Sequence, residues 1–386
     1  MSRRAILTIL LVPFVFPLHA QAQERLTGTV VASWQASRDY RGAVTRAAVE
    51  EEGGTIYVAT RSGIYQSKGE RLERIADRSG DEGRVVLAPG GGLYAVLVPG
   101  THAQTLFGVE VRTLPEGSAV PLRPMKEQPG GYLGVILGFR GNLIVTVAPL
   151  RNWEGTEPPF LFTFWDRDGS PRGSVLVDDH VNPVVDPSGK SLLLLGRKSA
   201  SAYNGDGKLL WTREGRYRSG AISSGGSVAL LNPAKDIRQV VIVRSGGEGN
   251  AVTFPTPVHQ LVLPTEGSGG LVIGDRGRYF QLDLTTSRFR EGRLPLRERS
   301  YIFDADYLDE KTFVFGVLHP ADESLRKGWP RGTIVAVTSQ GRAVFLRTFE
   351  LGDAIAGEPS IDTTWRSGVF VGFTRGTTIV GRPANQ

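Results

Sequence analysis

Asp304 and Asp306 stand two residues apart in an acidic stretch that continues with Asp309 and Glu310. In a strand, residues two apart face the same side, so the first two carboxylates would share one surface. Turned into a channel, such a pair could hold a cation or serve as a general acid and base. Turned to solvent, it would do nothing. A second acidic group, Asp178-Asp179-His180, could ligate a cation or simply make a polar connection. Asp166-x-Asp168-Gly169 opens like a calcium loop, but the remaining oxygen ligands do not follow, and a hairpin turn is the better reading. Beyond the first 22 residues, histidine occurs only as His102, His180, His259 and His319, with no pair at metal-ligand spacing. No metal site is expected, with Asp304 and Asp306 the only weak candidates, and no cofactor is expected. No Gly-x-Ser-x-Gly elbow stands between a strand and a helix, so nucleophilic acyl transfer has no obvious seat.

Cationic and aromatic residues offer binding chemistry instead. Arg288, Arg290, Arg293, Arg297 and Arg299 form a basic run that could meet an acidic glycan, a phospholipid headgroup or an acidic protein patch, or could dress a solvated edge strand. Trp153 and Trp329 each sit inside a long excursion, 152–159 and 320–332, where a loop on a rigid scaffold is a common place for recognition.

What must position these residues is a repeat. A short apolar run, a turn rich in Gly, Asp or Pro and a second apolar run recur about every 45 residues from Ala43 onward, with no helical periodicity. Eight continuous apolar runs mark the period: 55–59, 93–97, 143–147, 192–195, 228–231, 271–273, 313–315 and 369–371. Strands without polar alternation are strands buried on both faces. That is the condition of a four-stranded blade packed between two neighbours in a β-propeller. Eight runs imply eight blades, or seven if one irregular segment is a decoration. The last blade has only three strands of its own, at 360–364, 369–373 and 377–381. The strand Thr27-Gly28-Thr29-Val30-Val31-Ala32-Ser33-Trp34 is expected to supply the fourth and join the two ends of the chain.

The segment Asn204-Gly205-Asp206-Gly207-Lys208-Leu209-Leu210-Trp211 resembles the repeat of bacterial quinoprotein-like and WD40-like propellers, with Trp211 packing between blades. Gly54-Thr55-Ile56-Tyr57-Val58-Ala59-Thr60-Arg61-Ser62-Gly63-Ile64-Tyr65 is similar to the repeat of bacterial sensor propellers. The resemblance implies architecture and leaves activity open. On it, Arg46, Arg84, His180, Arg218, His259 and Tyr301 fall within about two residues of the start of an innermost strand. They are therefore expected to surround one mouth of the central channel as a basic, partly aromatic funnel.

The first 22 residues read as a cleaved signal peptide. Arg3 and Arg4 precede an apolar stretch from Ala5 to Leu18, and Ala20-Gln21-Ala22 is a small-x-small cleavage motif. Residues 23–386 would then form one propeller domain in the periplasm or outside the cell. The sequence contains no cysteine, which excludes disulfides and thiolate metal sites. A net charge of +6 is a mild excess and no nucleic-acid footprint. No integral membrane segment is expected after cleavage. These features favour a non-catalytic exported module that binds or scaffolds a protein or an acidic glycan. A polysaccharide lyase, a glycosidase or a quinoprotein-type oxidoreductase is the alternative. The adjacent cysteines common in quinoprotein dehydrogenases and the Ser-x-Asp-x-Gly-x-x-Trp box of sialidases are both absent.

Overall fold

The computed structural model describes residues 28–383 apart from 36–37, 42, 51–53, 78–83, 100–105, 116, 125–130, 151–158, 267, 295–299, 320–330, 351–359, 364–368 and 374–376. The chain forms eight antiparallel sheets of four strands each. Blades 1 to 7 occupy 44–77, 84–122, 134–177, 182–214, 217–253, 258–293 and 301–350, and in each the strands run outward from the hub in sequence order. Neighbouring blades pack side by side around the hub, with the innermost strand of blade 8 against that of blade 1, so the ring is closed. The eight-bladed expectation holds. The seven-bladed alternative does not, because every apolar run is the second strand of its own sheet.

Blade 8 takes Ser360–Thr363, Phe370–Phe373 and Thr377–Arg382 from one end of the chain and Thr29–Gln35 from the other. The N-terminal strand pairs along Thr377–Arg382, from Thr29 opposite Arg382 to Gln35 opposite Thr377. Its Trp34 is 2% exposed and donates its indole N–H to the Glu70 carbonyl of blade 1 at 3.0 Å. The strand thus fixes blade 8 internally and staples it to the next blade.

Each seam between blades has its own apolar cluster, and period-2 alternation assigns residues to seams. In the run Leu192-Leu193-Leu194-Leu195, Leu192 and Leu194 pack toward blade 3 with Phe162 and Phe164. Leu193 and Leu195 pack toward blade 5 with Ala229 and Leu231. This explains why the second strands read as unbroken apolar runs: both faces are interior. Leu193 is fully buried. Leu193→Ala should cost about 3 kcal/mol, measured by chemical denaturation. Trp211 lies in the same seam as the sequence suggests, 5% exposed, and donates to the Gly226 carbonyl of blade 5 at 2.9 Å.

Antiparallel order gives the ring two distinct ends. Innermost strands begin at the near end, where the blade-to-blade connections and the turns between second and third strands also lie. The turns between first and second strands, and between third and fourth, lie at the far end. At the far end the first turns of blades 2 to 5 interlock. Arg140 N donates to the Pro89 carbonyl at 2.7 Å, and Asn142 Nδ2 donates to the Ser188 carbonyl at 3.1 Å. The Ser188 and Ser224 hydroxyls are 2.7 Å apart. Asp186, 3% exposed, accepts from Ser188 Oγ at 2.8 Å, from Ser191 Oγ, and from Gly225 N of blade 5 at 3.3 Å. A buried carboxylate is tolerated here because donors surround it.

Candidate binding face at the near end of the ring

The six residues that the sequence places around the channel mouth all lie at the near end. Arg84 and Tyr301 are the first residues of their innermost strands, Arg218 and His259 the second, and Arg46 the third. His180 precedes its strand by two residues. All but Arg46 are solvent-exposed. Arg84 stacks its guanidinium on Phe107 at 5.2 Å, and His180 lies against Phe160 at 5.5 Å. The Tyr301 and Phe303 rings are 4.8 Å apart. His259 Nε2 contacts the Asp275 carboxylate.

A shared backbone device aims two of these side chains. In blades 1, 5, 6 and 7 the register of the innermost strand slips by one residue near its start, between Val44 and Arg46, Tyr217 and Ser219, Val258 and Gln260, and Ile302 and Asp304. The extra residues are Thr45, Arg218, His259 and Phe303. A bulged residue leaves the ladder and turns its side chain away from the sheet. Arg218 and His259 therefore occupy equivalent positions on adjacent blades.

The turns between second and third strands carry a signal that residue-by-residue reading missed. In the four blades where that turn is fully described, each holds a cation: Arg61 in blade 1, Arg197 and Lys198 in blade 4, Lys235 and Arg238 in blade 5, and Arg276 in blade 6. Arg61, Arg218, Lys235 and Arg276 form no ion pair among the described residues. Arg276 adopts φ 57°, a left-handed conformation seldom taken by a residue with a side chain. The far-end turns between third and fourth strands carry Glu70, Asp166, Asp168, Asp206 and Glu248 alongside the cations Arg167, Lys208 and Arg342, while Asp236 and Asp275 accompany the near-end cations. Among the described turns, cations thus outnumber carboxylates at the near end and carboxylates outnumber cations at the far end, although the net charge is modest. The signal becomes visible only once the strands are in register, because the cations recur at blade spacing.

Arg46 is the exception among the six. It reaches along the hub to Asp362 of blade 8 at 3.4 Å. Asp362 is 5% exposed and also accepts from Gly90 N of blade 2 at 3.3 Å. Burial pushes the Asp362 carboxyl up, and the Arg46 cation opposes that rise. Asp304 and Asp306 do share a face, as their spacing requires, and that face meets blade 8. Asp304 accepts from Gln260 Nε2 of blade 6 at 3.1 Å and from Ile361 N of blade 8 at 3.1 Å. Among the described residues no three metal-ligating side chains converge.

Other candidates separate. Asp168 accepts from Ser170 N at 2.9 Å and Ser170 Oγ at 2.6 Å, and Asp166 pairs with Arg172, as a hairpin turn requires. Asp179 binds the Arg197 backbone N–H and faces its guanidinium. Arg288, Arg290 and Arg293 lie on the exposed outermost strand of blade 6, away from the mouth. Trp153, Trp329, His102, Arg297, Arg299 and residues 1–22 lie outside the described residues.

No protein-family profile matches the sequence, and no curated protein matches it significantly. The fold is similar to that of solved propellers. Sqt1 of Saccharomyces cerevisiae superposes with a TM-score of 0.58 at 10% identity, over 93% of this chain and 100% of that one. BamB from Moraxella catarrhalis gives 0.52 at 13% identity, over 93% and 98%. Dihydro-heme d1 dehydrogenase NirN, in complex with DHE, gives 0.52 at 10% identity, over 80% and 67%. These likenesses bear out the architecture that the quinoprotein-like and WD40-like repeats implied. At such identities they show the fold alone.

Proposed function

We propose that this chain is an exported, non-catalytic propeller that binds an acidic partner, a glycan or an acidic protein surface, with the near end of its ring. The division of charge between the ends carries the reading. Cations on blades 4, 5 and 6 outnumber carboxylates on the rim that holds Arg84, Arg218 and His259, while carboxylates outnumber cations in the opposite turns between third and fourth strands. A rim with an excess of one sign on a rigid ring attracts and orients an oppositely charged partner. The signal-like start of the sequence supports a place in the periplasm or outside the cell, where acidic glycans and envelope proteins would be met.

A sulfated polysaccharide matrix is a suitable probe. The double variant Arg218→Glu/Arg276→Glu should bind about tenfold more weakly and elute at clearly lower salt. The far-end variant Lys190→Glu/Lys208→Glu changes the net charge by the same amount and should elute with the parent. Equal losses from both pairs would mean that overall charge, and not the near-end rim, drives retention.

A further inference from the structure

The seam between blades 7 and 8 is where the ring closes, and its inner edge is acidic. On the innermost strand of blade 7 (Tyr301–Asp309), Asp304, Asp306 and Leu308 face blade 8. Leu308 joins an apolar cluster with Ile361 and Phe370 of blade 8. The position above it, Asp306, meets Thr363 instead.

Thr363 Oγ1 lies 2.5 Å from Asp306 Oδ2 and 2.8 Å from the Tyr307 carbonyl oxygen. A hydroxyl has one proton to donate, and a carbonyl can only accept. If that proton goes to Tyr307, the short contact to Asp306 needs a proton from the carboxyl group. We propose that Asp306 is held as a neutral carboxylic acid whose proton latches blade 7 to blade 8, so that the ring is closed most tightly in weakly acidic medium. The Tyr307 N–H donates to the other carboxyl oxygen, Asp306 Oδ1, at 2.8 Å and favours the ion, while the charged groups nearby favour the neutral acid. Asp304 and Tyr307 share its strand, and Asp362 approaches on the blade 8 strand. Among the described residues the cation on this side is Arg46 of blade 1, which is engaged with Asp362. Blade 6 contributes the neutral Gln260.

Burial, reinforced by the charges of Asp362 and Asp304, raises the Asp306 pKa to about 7. In the unfolded chain this carboxyl releases its proton near pH 4. Between those values the folded state holds a proton that the unfolded state does not. The stabilisation is complete below about pH 4 and is lost as pH rises through about 7. The buried Asp362 shifts in the same direction. The exposed Asp168 and Asp283 are shifted down, so they act only below about pH 4 and leave this window clear.

The test uses the full chain. Its Tm should fall on the order of 5 °C between pH 5 and pH 8.5. Asp306→Asn supplies an N–H to Thr363 at every pH and should lose most of that slope, melting above the parent at pH 8.5. The Asp306 carboxyl carbon in the parent, assigned through its own backbone, should titrate near neutrality by NMR. Titration near pH 4, or an unchanged slope in Asp306→Asn, would overturn the latch. The parent titration decides the matter if the variant does not fold.

Discussion

Removing residues 24–36 should lower the melting temperature by about 10 °C or more. The strand Thr29–Gln35 is the outer strand of blade 8, and its loss takes away the whole ladder to Thr377–Arg382. It also removes Trp34, which packs with Tyr40, Val44, Ala47, Val371 and Val380 between blades 8 and 1. Deleting a buried tryptophan alone costs about 3–5 kcal/mol. The remaining three-stranded blade would present an open edge, which invites association. A thermal melt followed by circular dichroism measures the effect. A synthetic peptide spanning 24–36 should restore much of the loss, because the edge it leaves is a template for that strand. An unchanged melting temperature would remove the closing role of this segment.

Gly189→Ala should be the most damaging single methyl in the far-end belt. Gly189 sits at φ +67°, and a Cβ there would lie 2.5 Å from Phe139 N and 3.1 Å from Gly138 Cα of blade 3. Both are backbone atoms that cannot rotate away. The left-handed conformation costs a residue with a side chain about 1–2 kcal/mol. Forcing two backbones apart adds about 1–3 kcal/mol. Gly225→Ala separates the two effects, since Gly225 has φ +73° and nothing within 4 Å of its Cβ position. It should pay only the conformational cost. Denaturant titration of both variants tests the difference. Equal destabilisation would mean that contact between the turns of blades 3 and 4 contributes nothing.

The architecture was legible because a blade interior imposes one rule on every second strand. Ile56–Thr60, Ser191–Leu195 and Val228–Pro233 are apolar on both faces since each lies between two seams. The third strand of blade 2 was harder to place. Phe107–Thr113 buries Phe107, Val109 and Val111 in alternation with Gly108, Glu110 and Arg112, so it lacks the unbroken apolar run that marks a second strand. The innermost strands were located to within two residues, which sufficed to bring Arg84, Arg218, His259 and Tyr301 to one end. The partner of Arg46 was not legible. Asp362 is 316 residues away in sequence and adjacent only because the ring closes. The same holds for Asp306 and Thr363, whose meeting depends on the seam. Nor could sequence reveal the single-residue bulges that turn Arg218 and His259 outward, because an extra residue leaves the apolar pattern nearly unchanged.

These observations make one mechanical picture. Apolar seams and the closing strand hold eight blades rigid, the Gly-rich turns lock one end, and the other end presents cations on a fixed circle. Rigidity matters to recognition because a preorganised rim loses little conformational freedom when a partner docks.

Hydrogen–deuterium exchange with and without a sulfated oligosaccharide tests this picture most directly. Slowed exchange is expected in the near-end turns at 61–62, 196–198, 234–238 and 275–277 and at the starts of the innermost strands around Arg218 and His259. Slowed exchange confined to the far-end turns at 166–170 and 204–208, or spread evenly over both ends, would contradict it.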